Sequence, residues 1–351
     1  MVYRAGLIGV DRIGMRDDPC YAQSFAKTDG IELRAIADVN DRLLDELGGR
    51  WDIPRSSRYI GHAAMLESED LDIVAINTPV GFHHEHVTDA ATSSARPSVI
   101  WCEKPLATNV RDGEHMVAVC EENGVELVIN HQLRFAPAFK NLRSVVENGD
   151  YLGDIDSITG QFRGPLLHES THQIDMLLYL LGTQPEQVSG YLREDEASVS
   201  DGNRQRMDDR PGSAMIRMDD DCIVSLDEAS KTGYAFNFVG DRGELNIPMW
   251  QLPRRGHRYL RTEGDIHSPV EHRELSALAT NHDFNGFITE ALDNVVEHLV
   301  DLADGKATNR SPGRDAATTL ETIIAIFISH YTGSRVSIPL DQPLKDVTIV
   351  R

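Results

Sequence analysis

The segment Gly6 to Gly14, GLIGVDRIG, has the glycine spacing of a loop that seats a dinucleotide pyrophosphate on the N-terminus of a helix. Gly9 and Gly14 hold the first and third glycine positions of that fingerprint; Asp11 stands at the second, followed by Arg12 and Ile13. The second position is ordinarily glycine because the backbone must approach the phosphates closely, so a carboxylate there adds bulk and a like charge. Two unit charges ~5 Å apart at an effective dielectric of ~20 repel by roughly 3 kcal/mol, about a hundredfold in affinity. Asp17 and Asp18 add to the charge, and two forms of relief stand open: Arg12 neutralises part of it, or Asp11 turns to solvent. Asp38 falls 24 residues past Gly14, where an acidic side chain accepts hydrogen bonds from the adenosine ribose and repels a 2'-phosphate. This favours NAD over NADP; the competing reading makes Asp38 a cap on the helix beginning near Asn40.

Further along, WCEKPLATNV puts Glu103, Lys104 and Pro105 at the carboxyl end of a buried strand, the edge at which parallel sheets bind ligands. His168 to His172 spells His-Glu-Ser-Thr-His, which matches the zinc pattern of two helical histidines on one face with the glutamate as base. A zinc hydrolase built on His168, Glu169 and His172 needs a third ligand, and Glu194 or Glu196 would have to supply it. FHHEHV, Phe82 to Val87, also concentrates histidines, and is read as one functional residue with two on a helix surface.

These residues need a scaffold, and the hydrophobic pattern supplies two. From Tyr3 to about residue 131, short Val- and Ile-rich runs (RAGLIGV, IELRAIADV, DIVAINT, SVIWC, VELVINH) alternate with amphipathic helices near 40–51, 62–68, 84–93 and 109–124. That alternation predicts an α/β doubly wound parallel sheet covered on both faces. Past Gly149 the strand-like stretches DIDSITGQFRG, EQVSGYLRED, SAMIRMDD, CIVSLDEAS and YAFNFVGDRGELNI follow one another with few helices between, which predicts an open, mainly antiparallel sheet with helices on one face. Two helices, about 283–303 and 312–332, close the chain. Phe284, Phe287, Ile288, Ala291, Leu292, Val295 and Leu299 line one face of the first, and Ser311 and Pro312 suit the N-cap and first position of the second. The polar stretch from Glu194 to Arg210 reads as a loop or lid edge. The division expected is 1–131 and 132–351.

Composition bounds the partners. The chain has 351 residues, 40% of them hydrophobic and 26% charged, the proportions of an ordinary globular protein long enough for two cores. With 34 Lys and Arg against 56 Asp and Glu the formal net charge is −22, a poor surface for nucleic acid. The bias of 33 Asp to 23 Glu and 28 Arg to 6 Lys fits a surface kept soluble in concentrated salt; a GC-rich genome accounts for the Arg excess equally well. Cys20, Cys102, Cys120 and Cys222 show no paired spacing, so free thiols are expected. The opening MVYRAGLIGV reads as a strand rather than a signal peptide, and no run is long enough to span a membrane, so a cytoplasmic protein with no membrane partner is expected.

NTPVGFHHEH, CEKPLATNV, HQLRFAPAF, THQIDMLLYLLG, FVGDRGELNI and the closing GSRVSIPL resemble, in order and spacing, the glucose-fructose oxidoreductase and inositol dehydrogenase family (Gfo/Idh/MocA) over nearly the whole chain. The resemblance implies an N-terminal Rossmann domain for NAD or NADP and a C-terminal domain that carries a polyol or sugar and builds a homodimer or homotetramer through its sheet. It implies that Lys104 lies beside the nicotinamide and the reacting hydroxyl, that Glu103 positions the cofactor, and that Thr78, Pro79 and His83 border the nicotinamide side. Arg134 fits the family's Arg-Phe motif, with Gln132 where Asn is common. His172 aligns with the catalytic histidine and Asp175 with the acid one turn later. Four residues before that histidine the polyol dehydrogenases carry Asp; this chain has His168, so its substrate contacts have changed or its catalysis has weakened. The implied activity is hydride transfer between the cofactor and a hydroxyl carbon. The alternative is a member that binds cofactor or sugar without turnover.

Overall fold

In the computed structural model, residues 2–193, 206–228, 235–248, 257–261, 271–275 and 284–350 are described, and Glu194 and Glu196 lie outside them. The chain forms two compact units, residues 1–136 with 288–317 and residues 137–287 with 318–351.

The first unit runs β1 (Tyr3–Ile8), α1 (Tyr21–Lys27), β2 (Ile31–Asp38), α2 (Asp41–Arg50), β3 (Arg58–Ile60), α3 (His62–Ser68), β4 (Ile73–Ile76), α4 (His83–Thr92), β5 (Val99–Cys102), α5 (Val110–Glu122) and β6 (Glu126–Ile129). Its six strands pair in parallel in the order β3-β2-β1-β4-β5-β6, so the winding reverses between β1 and β4. A crevice opens at that reversal, beyond the carboxyl ends of both strands. IVAI of β4 and VIWC of β5 are buried throughout, as strands covered on two faces must be. Leu7, Phe25 and Trp101 share one core with Leu292, Val295 and Leu299 of α8 (Phe284–Ala303), which is why that helix carries an apolar stripe.

The second unit adds α6 (Pro137–Glu147), β7 (Ile155–Gln161), α7 (Thr171–Leu181), β8 (Pro185–Leu192), β9 (Arg206–Asp208), β10 (Gly212–Met218), β11 (Ile223–Asp227), β12 (Ala235–Gly240), β13 (Gly243–Pro248), β14 (His257–Arg261), β15 (Glu271–Leu275), part of α9 (Gly313–Thr332), β16 (Val336–Ser337) and β17 (Thr348–Val350). Nine strands form one sheet, antiparallel except where β7 runs parallel to β11. Burial alternates along β10 and β12, the pattern of a sheet packed on one face.

Of the stretch read as a lid, residues 206–208 instead form β9, paired in parallel with β17. α9 begins at Gly313, and the Ser311 hydroxyl donates to the Ile129 carbonyl at 2.7 Å instead of capping the helix. The four cysteines are buried free thiols. Among the described residues no helix is long and apolar enough to cross a membrane.

Candidate functional site

The loop after β1 is shaped by close approach to β4. Gly9 has φ +86°, and a Cβ there would stand 2.3 Å from the Asn77 carbonyl oxygen. A Cβ on Gly14 would stand 2.7 Å from both the Asn77 Nδ2 and the Gly9 carbonyl oxygen. Only glycine fits at either position. Asn77, absent from the sequence-based set, holds the loop by donating from Nδ2 to the Asp11 carbonyl at 2.7 Å and the Gly9 carbonyl at 3.2 Å.

Asp11 caps the short turn Arg12–Gly14: its Oδ1 accepts the Arg12 backbone N–H at 2.8 Å. Arg12 itself sits at φ +47°, a left-handed conformation that costs a non-glycine residue of order 1 kcal/mol. The charge on Asp11 is met by Arg16, whose Nη1 lies 3.0 Å from Oδ1, with both side chains nearly half exposed. The partner of the Asp11 carboxylate is therefore Arg16, in the turn that follows Gly14, rather than the expected Arg12. Ile13 packs partly against the core.

Asp38 ends β2 with both oxygens engaged by backbone N–H groups, Val10 at 3.0 Å and Asn40 at 2.9 Å. The cap on α2 is Asn40, whose Oδ1 accepts from Leu43 N, so the capping reading of Asp38 is replaced. Gly9, Asp11, Asp38, Asn77, Thr78 and Pro79 line a cleft of about 390 Å³ at the reversal between β1 and β4. Its other polar walls are His62, Glu85 and His86, and among the described residues no Lys or Arg lines it. A larger cleft of about 470 Å³ lies between α5, β6 and the start of α9, lined by residues such as Val117, Leu127, Pro312 and Arg314; none of the expected site residues belongs to it.

The histidines of α4 divide differently from expectation: His83 and His86 are both buried, and only His84 lies toward the surface, 2.9 Å from His115. His86 Nδ1 lies 3.0 Å from the Thr78 hydroxyl, and its ring is 4.3 Å from that of His62. Burial, then the neighbouring His62 and His83, lowers the His86 pKa to about 4, so it is neutral at physiological pH. His83 faces two carbonyl oxygens, Pro105 at 2.9 Å from Nδ1 and Thr78 at 2.8 Å from Nε2. Burial lowers its pKa, and a neutral ring has one N–H, so one of the two contacts is a hydrogen bond at any moment. It ties the turn after β4 to the turn after β5. Among the described residues His62, Glu85 and Asp89 also bring potential metal-ligand atoms within 4.8 Å, with His62 Nε2 on Asp89 at 2.8 Å.

Glu103 is held by residues far away in sequence. Its Oε1 accepts from the Tyr21 hydroxyl and from Asn130 Nδ2 at 2.6 Å, and its Oε2 accepts from the Lys104 backbone N–H at 3.1 Å. Tyr21 stacks on Trp101 with ring centroids 3.7 Å apart; burial, with Glu103 beside it, pushes its pKa well above the usual phenol value. Lys104 is half-buried and joined to Pro105 by a cis peptide bond. Arg134, 1% exposed, donates from Nη1 to Asp315 at 2.6 Å and to the Arg310 carbonyl at 3.2 Å, pinning the turn after β6 to the start of α9.

In the second unit, α7 begins at Thr171 and carries His172, half-buried, and Asp175, buried. His168 precedes the helix, in a turn. Its Nδ1 lies 2.9 Å from Asp209 Oδ2. The two histidines of HESTH therefore do not share a helix face, and no grouping of metal ligands includes them among the described residues. The zinc-hydrolase reading has no support in this geometry.

Residues 3–131 match the family described as oxidoreductase family, NAD-binding Rossmann fold, and residues 159–338 match its C-terminal alpha/beta domain. The chain belongs to the Gfo/Idh/MocA oxidoreductase family. Relatives of this Gfo/Idh/MocA protein include a myo-inositol 2-dehydrogenase from Thermotoga maritima, 28% identical over 199 residues, covering 53% of this chain and 57% of the relative. A D-xylose 1-dehydrogenase [NADP(+)] from Haloarcula marismortui is 29% identical over 123 residues, 33% of each chain. The chain spans about half the length of the first of these and of other curated relatives it matches. The fold also matches an oxidoreductase from Agrobacterium radiobacter solved with NAD+, L-tartaric acid and magnesium, with TM-score 0.76, 18% identity, and coverage of 96% of this chain and 99% of that one.

Proposed function

We propose that this protein is an NAD-dependent dehydrogenase that exchanges hydride with a hydroxyl-bearing carbon of a sugar, inositol or sugar derivative. The observation that carries the reading is the cleft at the β1/β4 reversal, which joins a glycine-constrained loop to an acidic end at Asp38, with no Lys or Arg among its described lining residues. These residues fit a dinucleotide. Asp38, Asp11 and Glu85 repel a 2'-phosphate, and no Lys or Arg among the lining residues receives one, which supports NAD in a family whose Haloarcula relative is named for NADP(+).

When bound, the nicotinamide supplies the hydride acceptor. On the protein side, Glu103 is fixed by Tyr21 and Asn130 and fixes the Lys104 backbone in turn, which sets the direction of the ammonium stem. Lys104 hydrogen-bonds the reacting hydroxyl and stabilises its developing negative charge. His172 takes the hydroxyl proton, with Asp175 and His168 as further substrate-binding groups. His83 acts one step back, by joining the turns that carry Thr78 and Pro79 to the one that carries Lys104. The first compact unit is assigned to the cofactor and the second to the substrate. We extend this to a homodimer or homotetramer through the outer face of the second sheet, where Tyr191 and Met215 are 73% and 55% exposed. Loss of the oligomer in Tyr191→Glu by light scattering tests that extension.

A second reading, ligand binding without turnover, is favoured by one observation: the Asp11 carboxylate already occupies the Arg12 N–H of the phosphate-binding loop. NAD titration followed by initial rates on a polyol and sugar panel separates the two. NADH formation supports the dehydrogenase, while binding with no turnover on any substrate in either direction supports the second reading.

A further inference from the structure

Glu85 and Asp89 stand four residues apart on α4, so both carboxylates lie on one face of that helix. His62 opens α3, and its Nε2 lies 2.8 Å from Asp89 Oδ2. One ligand atom from each of His62, Glu85 and Asp89 lies within 4.8 Å of the other two. Among the described residues neither carboxylate is paired with a Lys or Arg, and the ion-pair partner of Asp89 is the His62 ring. Two like charges at this helical spacing repel each other, and a chain of net charge −22 supplies no long-range relief. The His62 side chain is only 14% exposed, and its ring lies against that of His86 with centroids 4.3 Å apart. His86 is held in turn by the Thr78 hydroxyl, so the histidine of the cluster is oriented by packing from the protein interior while its nitrogen meets the carboxylates.

An imidazole nitrogen with two carboxylate oxygens is a donor set for a divalent cation of the zinc class; magnesium, which takes oxygen ligands, leaves the imidazole unused. Around an ion with ligands ~2.1 Å away, tetrahedral neighbours stand ~3.4 Å apart, so the 2.8 Å contact between His62 and Asp89 has to widen by only about 0.6 Å. Glu85 is exposed and the Asp89 side chain is 48% exposed, so both carboxylates can rotate to close the remaining distance. We propose that His62, Glu85 and Asp89 form a binding site for a divalent transition-metal ion of the zinc class, with water completing the coordination. The ligands come from two helices, so the ion ties the start of α3 to α4. His62 and Glu85 also line the cleft at the β1/β4 reversal, which puts the ion at its wall. The proposal stands on these three side chains and does not depend on the dehydrogenase reading.

The test uses the full chain, freed of metal with a chelator and dialysed, and a calorimetric titration with zinc chloride. The tightest site should take one ion per chain at micromolar affinity, weakened about tenfold or more in each of His62→Gln, Glu85→Gln and Asp89→Asn. It should be unchanged in His115→Ala, which removes the separate contact between His115 and His84. Zinc at about a hundred times its dissociation constant favours the folded state ~100-fold, read as a raised thermal midpoint in the wild-type protein that Asp89→Asn lacks. Cobalt(II) in place of zinc should give the visible absorption of a low-coordinate nitrogen and oxygen site, lost in the same three variants. Glu85 and Asp89 are exposed, so Glu85→Gln and Asp89→Asn should fold as wild type by far-UV circular dichroism without metal, and they carry the test even where His62→Gln fails to fold. No zinc binding by the wild-type protein overturns the proposal. So does zinc affinity unchanged in Glu85→Gln and Asp89→Asn, zinc binding lost in His115→Ala, or magnesium bound as tightly as zinc.

Discussion

Replacing Arg16 with alanine removes the positive charge 3.0 Å from Asp11 and leaves a carboxylate in the glycine loop without it. With the carboxylate ~5 Å from a cofactor phosphate, the repulsion runs from about 0.8 kcal/mol at the dielectric of water to about 3 kcal/mol at an effective value of ~20. Asp11 and Arg16 are 48% and 43% exposed at their side chains, which places the loop between these limits, at about 1.5 kcal/mol. NAD binding by Arg16→Ala should then be about tenfold weaker than wild type in a low-salt fluorescence or calorimetric titration. At ~1 M salt, where charges are screened within ~3 Å, the difference should shrink below about threefold. Asp11→Asn should bind at least as tightly as wild type at low salt, and adding it to Arg16→Ala should restore the affinity. The fold is little affected, since an exposed ion pair of this kind contributes about 0–1 kcal/mol. Equal affinity for wild type and Arg16→Ala at low salt, or a deficit that persists in molar salt, refutes the assignment of this loop as an electrostatically balanced phosphate site. The acidic composition, net charge −22, has a local form here, since added salt would also screen Asp11.

Other consequences follow from single contacts. Gly9→Ala drives a Cβ to 2.3 Å from the Asn77 carbonyl at a positive φ, so it should cost more than about 2 kcal/mol in urea unfolding and abolish NAD binding; a stable, binding variant contradicts the loop geometry. Tyr21→Phe removes a buried donor to Glu103 and should lower stability by about 1–3 kcal/mol, read as a shifted urea midpoint with unchanged slope. His298 accepts the Arg310 N–H through Nε2 at 3.1 Å, and burial, then the Arg310 charge, lowers its pKa from 6.5 to about 4. Because the folded pKa is the lower one, its contribution is complete above pH 6.5 and is lost as the pH falls toward 4, at most ~3 kcal/mol. His298→Gln should therefore flatten the pH dependence of unfolding between pH 7 and 4, and an unchanged profile counts against a neutral His298.

The scaffold was legible because its signal is local. Runs such as DIVAINT and SVIWC can be buried on both faces only in a parallel sheet, and β4 and β5 are those strands. Gly9 and Gly14 could be read as a constrained turn after β1, and Asp38 as the end of β2, for the same reason: these positions lie at fixed offsets along one β-α-β unit. Asn77, Tyr21, Asn130 and Asp209 were not, because each acts on a residue brought near by folding and none stands in a spacing that marks it. Arg16 lies four residues past the expected Arg12, and the contact that selects it is made by side chains and has no mark in the spacing. The HESTH match, the remote alternative in the sequence, fails because the zinc pattern assumes one continuous helix, whereas α7 starts at Thr171 and His168 precedes it, against Asp209.

The central claim is tested most directly by following NADH formation with NAD and a panel of polyols, sugars and sugar acids, for the wild-type protein and Lys104→Ala, at low and molar salt. The account predicts turnover of at least one hydroxyl substrate, reduced by about 10²–10⁴-fold in Lys104→Ala while the NAD dissociation constant stays within about threefold. No NAD binding at either salt concentration, or turnover that survives in Lys104→Ala, contradicts it.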